Sequence, residues 1–182
     1  MKLSGPIAVG AAFLVAGGGC TCQPDSETDT EQMPADTTPM ARVTSPAEDS
    51  LARVRATTDE VTDMVRRMVN FDFDRAAIRA GEDTRILEEK AAILQANPNL
   101  TLEIIGHCDE RGPTAYNQAL GMRRAESARS FLTGRGITAN RIRVRSMGET
   151  QPLDPASNEA AWSRNRRNEF VIVSGGEELR RP

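Results

Sequence analysis

The chain has 182 residues, 38% of them apolar, with 23 basic and 26 acidic side chains and a formal net charge of −3. That length predicts one domain plus extensions. So mild a charge excludes a nucleic-acid-binding protein, which needs a pronounced basic patch.

Charge is unevenly placed. Lys2 is the only charge in residues 1–22, and residues 23–50 hold seven acids against Arg42 alone, which leaves 21 bases and 19 acids for residues 51–182. Met1-Lys2 gives a short basic start, and residues 6–19 form an uncharged run of small and apolar side chains. Fourteen residues at ~1.5 Å each reach ~21 Å, short of a ~30 Å hydrocarbon core. Length and flanks fit the apolar region of a secretory signal.

Gly17-Gly18-Gly19-Cys20 resembles the end of a bacterial lipoprotein signal, with Gly17 where such signals usually carry Leu. The resemblance implies a signal peptide over residues 1–19 and lipidation of Cys20. By the same sorting rules, a residue other than Asp at Thr21 implies delivery to the outer membrane. Several acyl chains, at ~0.8 kcal/mol per buried methylene, anchor far more firmly than one. Residues 20–50, rich in Thr, Ser, Pro, Asp and Glu, are predicted to be the lipidated N-terminus and a disordered acidic tether. Thirty such residues have a root-mean-square reach of about 30 Å.

Residues 51–67 form a lead-in segment in which Leu51, Val54, Val61, Met64 and Val65 follow a loose helical pattern. The domain proper is expected over 68–175, with a polar tail over 176–182. Val69–Asp74 alternates apolar and polar, predicting a half-buried strand with Val69, Phe71 and Phe73 on one face. A helix is expected over 80–96, closed by Pro98, and a second strand over 100–105. A second helix is expected over 114–133, with Ala119, Leu120, Met122, Ala125, Ala128, Phe131 and Leu132 toward the core, and Gly134 and Gly136 ending it. A third strand points Ile142, Val144 and Ser146 inward; a helical turn over 159–163 and a last strand over 169–173 follow. The order βαβαβ(α)β predicts an α/β two-layer sandwich, helices packed on a mixed four-stranded sheet.

Gly106-His107-Cys108-Asp109-Glu110-Arg111-Gly112 reads as a strand end and a polar turn. In the helix that follows, Asn117, Gly121 and Arg124 stand at i, i+4 and i+7, one stripe of the helix. A carboxylate, an amide and an arginine around a glycine gap suit a small zwitterion, Asp109 taking its ammonium and Arg124 its carboxylate. A plain structural alternative stands beside this: Asp109 caps the turn, and Arg124 pairs with Asp72 or Glu126. His107-x-Asp109 lacks the further ligands a metal needs. No serine has an evident base and orienter. Cys22 and Cys108 are candidates for a disulfide, against a free, semi-buried Cys108. Trp162 and Phe170 read as packing residues.

Phe71-Asp72-Phe73-Asp74, the Gly106–Gly112 segment, Tyr116-Asn117, Leu120-Gly121-Met122-Arg123-Arg124-Ala125 and Asn165-Arg166-Arg167 together resemble the OmpA-like peptidoglycan-binding domain family over about residues 68–175. After a lipoprotein signal they are most similar to its peptidoglycan-associated lipoprotein branch. The resemblance implies non-catalytic binding of the diaminopimelate residue of peptidoglycan stem peptides, without a cofactor. Asp109 and Arg124 are implied as principal contacts, with Asp74, Asn117 and Arg166 supporting. Asp74 stands where some relatives have Asn, and Cys108 where Thr is common. Also implied are an outer-membrane position facing the periplasm and contact with the Tol system, notably TolB. An interaction protein acting mainly through such a partner is the alternative; a cell-wall hydrolase is disfavoured by the lack of a catalytic pair.

Overall fold

The computed structural model describes residues 46–182; the signal segment, Cys20, Cys22 and the tether up to residue 45 lie outside the described residues. Helix α1 (Pro46–Arg66) is followed by β1 (Val69–Asn70), α2 (Glu82–Ala96), β2 (Thr101–His107) and α3 (Thr114–Gly134). A 3₁₀ turn (Ala139–Arg141), β3 (Ile142–Gly148), α4 (Glu159–Asn165) and β4 (Arg167–Ser174) complete the described chain. The sheet order is β1-β4-β2-β3, with β2 parallel to β3 and β4 antiparallel to both β1 and β2. This is the mixed four-stranded α/β architecture expected from the sequence.

The core gathers Leu102 and Ile104 of β2, Ile142 of β3 and Phe170 of β4 with Ile86, Leu87 and Leu94 of α2 and Ala125, Ala128 and Leu132 of α3. Helix α3 runs through Gly134, which stays helical, and ends at the second of the two expected glycines. Gly136, at φ +87°, lets its N–H bond Thr133 O at 3.0 Å while Ile137 N–H reaches Leu132 O at 3.3 Å. That pair of bonds is a Schellman motif.

The stripe of α3 that faces inward differs from the expected one. Ala119 and Met122 are exposed, and the buried set is Asn117, Leu120, Gly121, Arg124, Ala125, Ala128 and Leu132. Gly121 therefore does not line an open gap: it meets Gly106 of β2. A Cβ at Gly106 would stand 1.9 Å from Gly121 O, and one at Gly121 would stand 2.3 Å from Ser146 Oγ and 2.8 Å from Gly106 O. The glycine pair sets how closely α3 lies on β2 and β3, and hence where its first two turns sit.

Three further boundaries differ from expectation. β1 stops at Asn70, because the chain turns at once: Arg75 N–H bonds Asp72 O at 3.3 Å, and Asp74 adopts φ +54°. Phe71 stays buried, whereas Phe73 is 55% exposed. Helix α1 begins at Pro46, inside the stretch expected to be tether, with Glu48 and Asp49 in its first turn favouring the start. It docks through buried Val61 and Val65, and through Lys90, whose ammonium donates to Met64 O at 3.0 Å and Val65 O at 2.5 Å. Those carbonyls belong to the last turn of α1, where helix acceptors lack i+4 partners; Met64 O also accepts from Arg67 N–H at 3.4 Å. Burial, then the Arg67 charge, brings the Lys90 pKa down to about 7. At the other end Leu179 of the polar tail is buried in the core, and Arg180 N–H bonds Asn97 Oδ1 at 2.8 Å.

Gly106→Ala is expected to cost about 3 kcal/mol, because its methyl would collide with main chain rather than a movable side chain. Gly134→Ala, with nothing within 4 Å of its added carbon, is expected to be neutral or stabilising by up to ~1 kcal/mol. Urea unfolding of the two variants checks the contrast.

Candidate functional site

Beyond β2 the chain stays pinned to β3 by Cys108 N–H to Gly148 O at 2.7 Å, then turns across the start of α3. The turn after β1, this loop, the first turns of α3 and the α4–β4 junction enclose a cleft of about 310 Å³. Asp74, Asp109, Asn117, Arg124 and Arg166 all line it, so the five candidate residues converge.

Arg124 is wholly buried. Its Nε donates to Arg75 O at 2.9 Å, Nη1 to His107 O at 2.8 Å and Cys108 Sγ at 3.4 Å, and Nη2 to Asp72 O at 3.1 Å. A guanidinium has five N–H groups; four are committed, leaving one on Nη2. Its face lies 5.2 Å from the centre of the Phe71 ring. Neither Asp72 nor Glu126 offers it a carboxylate: Asp72 contributes its main-chain oxygen, and Glu126 pairs with Arg129 at 3.3 Å. Burial lowers the Arg124 pKa below the ordinary arginine value, and the guanidinium keeps its charge.

Asp109 is both cap and ion-pair partner. Its Oδ1 accepts from Arg111 N–H at 3.2 Å, and its Oδ2 accepts from Arg111 Nη2 at 2.7 Å and Arg166 Nη1 at 3.1 Å. Burial alone would raise its pKa; the bonds from Arg111 and Arg166 outweigh that and hold the carboxyl below 3.8. Arg166 is fixed in turn by Nε to Phe71 O at 3.1 Å and Nη2 to Glu159 Oε1 at 2.7 Å. Asn117 sits behind the loop, its Nδ2 donating to Asp109 O at 3.2 Å, Arg111 O at 3.1 Å and Glu149. Asp74 is exposed and accepts from the Tyr116 hydroxyl.

Sequence reasoning passed over Arg111, although it lies two residues after Asp109 in the same motif. Its guanidinium is stacked 4.1 Å from the Phe73 ring centre and 4.1 Å from that of Trp162. Trp162 is thus no mere packing residue: it backs Arg111, which lines the cleft, and donates to Glu110 at 3.1 Å. Nothing local in the sequence brings Phe73, Arg111 and Trp162 together.

His107 takes no part in the cleft. It is 1% exposed, with Nε2 3.3 Å from Glu169, and burial, then the Arg167 charge, lowers its pKa to about 4. Cys108 is a free, buried thiol donating to Asn117 O at 3.2 Å, and burial raises its pKa to about 11, so it is a poor nucleophile. Among the described residues no group of three or more His, Cys, Asp or Glu could hold a metal ion, and no helix is long and apolar enough to cross a membrane.

The lone histidine has a measurable consequence. The unfolded chain protonates its imidazole near pH 6.5 and the native chain only near 4, so the unfolded state binds more protons in that window. The His107 contribution to stability is therefore complete above pH 6.5 and lost as pH falls toward 4. An NMR titration of the native imidazole is expected to give a midpoint near 4; a midpoint near 6.5 would contradict its burial.

Residues 70–166, just over half of the chain, match the OmpA family. The peptidoglycan-associated lipoprotein of Brucella melitensis is 42% identical over 106 residues, 58% of this chain and 62% of that protein. Its counterpart in Haemophilus influenzae is 41% identical over 109 residues, 59% of this chain and 71% of that one. The match to the Brucella protein thus leaves more than a third of that relative's length unmatched. Among solved structures, the peptidoglycan-associated lipoprotein from Burkholderia pseudomallei superposes with a TM-score of 0.57 at 34% identity, over 59% of this chain and 90% of that one. The C-terminal domain of Helicobacter pylori MotB, 22% identical with a TM-score of 0.55, shares the fold over 59% of this chain and 84% of that one. Sheet order, helix placement and these matches agree, and the chain belongs to the OmpA family.

Proposed function

We propose that the protein binds peptidoglycan without altering it and tethers the outer membrane to the cell wall, its domain facing the periplasm. One observation carries the reading: a single small cleft holds guanidiniums and carboxylates from four separate chain segments, converging where a bipolar headgroup fits. Diaminopimelate offers such a headgroup, an ammonium and a carboxylate on one carbon. The remaining acceptor capacity of Asp109, with Asp74 at the rim, suits the ammonium; the uncommitted N–H groups of Arg166 and Arg124 suit the carboxylate. Asn117 keeps the Asp109 loop in place.

Similarity to the peptidoglycan-associated lipoproteins supports the wall-binding role. The lipoprotein-like signal ending at Cys20 supports lipid anchoring in the outer membrane. Work within the Tol-Pal system, with TolB as a partner, rests on the same family likeness. Binding rather than catalysis suits a cleft whose charges neutralise one another. Each charge-assisted bond contributes roughly 1.5–3 kcal/mol before desolvation, so single sites are expected to be micromolar or weaker. Many anchored copies facing a lattice compensate by rebinding.

The purified protein is expected to sediment with isolated sacculi and to release no soluble muropeptides. Asp109→Asn and Arg166→Gln are expected to keep the fold and weaken retention at least tenfold. Arg124→Ala is expected to destabilise the fold by about 3 kcal/mol, because it empties a wholly buried site and removes the bonds to Arg75 O, Asp72 O and the buried His107 O. Undiminished retention by both cleft variants, or release of muropeptides by the wild type, would refute the proposal.

A further inference from the structure

Four charged side chains close into a ring beside the cleft. Asp109 joins Arg111 at 2.7 Å and Arg166 at 3.1 Å. Glu159, in the first turn of α4, meets the same two guanidiniums from the other side, 2.7 Å from Arg166 Nη2 and 3.5 Å from Arg111 Nη1. The two carboxylates differ in access: the Asp109 side chain is 5% exposed and that of Glu159 is 64% exposed. Withdrawing Asp109 would strand buried charge, whereas Glu159 can leave its partners and be rehydrated at little cost.

The seat itself survives that departure. Arg111 stays clamped between the Phe73 and Trp162 rings and bonded to Asp109. Arg166 stays tied to Phe71 O and Asp109. Arg111 and Arg166 thus form a two-guanidinium seat in which a carboxylate already lies, and that carboxylate belongs to the chain. Arg124, with one N–H uncommitted, offers less. An arriving carboxylate finds most donors where Glu159 now sits.

We infer that Glu159 is an internal competitor, its carboxylate holding the seat on Arg111 and Arg166 that the carboxylate of a bound amino-acid headgroup takes. The inference rests on the zwitterion reading of the cleft and adds a residue that sets its affinity and selectivity. In the free protein Glu159 keeps the two guanidiniums neutralised. On binding it swings into solvent, and the ligand must supply a carboxylate to replace it. A headgroup without one leaves Glu159 in place.

Isothermal titration of wild type and Glu159→Gln tests this with two muropeptides, one carrying diaminopimelate and one carrying lysine, which lacks the carboxylate in question. Glu159→Gln is expected to bind the diaminopimelate muropeptide about threefold to fivefold more tightly than wild type. For the lysine muropeptide the two proteins are expected to be equal. Equal or weaker binding of the diaminopimelate muropeptide by Glu159→Gln overturns the competitor role, while wild-type binding leaves the cleft reading standing. An equal gain with the lysine muropeptide also overturns it. Binding by neither protein removes the cleft reading, and this inference with it.

Discussion

The guanidinium of Arg124 ties together the chain segments that form the cleft. It reaches from α3 to main-chain oxygens in the turn after β1 and at the end of β2, and to the Cys108 thiol. A charge taken out of water at that depth is tolerable only because nearly every N–H has an acceptor. The same bonds fix the distance between the Asp74 turn and the Asp109 loop. The Gly106–Gly121 contact does the complementary work, bringing α3 close enough for the arginine to reach.

On that frame the cleft is electrostatically satisfied before any ligand arrives. Asp109 is held ionised by Arg111 and Arg166, and Glu159 completes their neutralisation. A bipolar ligand can then exchange for internal partners with little net change in charge. Such an exchange gives selectivity for paired charges with modest affinity, as the proposed collective tether to the wall requires.

Helical spacing in the sequence placed Asn117, Gly121 and Arg124 on one face, and the face is real. Its direction was not legible, since carbonyls some fifty residues upstream decide that Arg124 points inward and is satisfied there. The alternation of Val69, Phe71 and Phe73 read as a full strand, but the left-handed turn at Asp74 ends it and puts Phe73 on the surface over Arg111. Arg111 and Glu159 were not singled out, and Trp162 read as packing, because their meeting exists only after α4 packs beside the Asp109 loop. The start of α1 at Pro46 and the burial of Leu179 were hidden by polar neighbours that dominate local composition. Periodicity reports which residues share a face; what that face meets is a property of the fold.

In the proposed function, paired charges in this cleft grip a bipolar headgroup of the wall while leaving its covalent bonds intact. A crystal structure of the protein soaked with a diaminopimelate muropeptide tests it most directly. The expected result is an intact ligand with its ammonium within hydrogen-bond distance of Asp109 and its carboxylate on Arg166. A ligand bound elsewhere on the domain, or cleaved in the cleft, would contradict it.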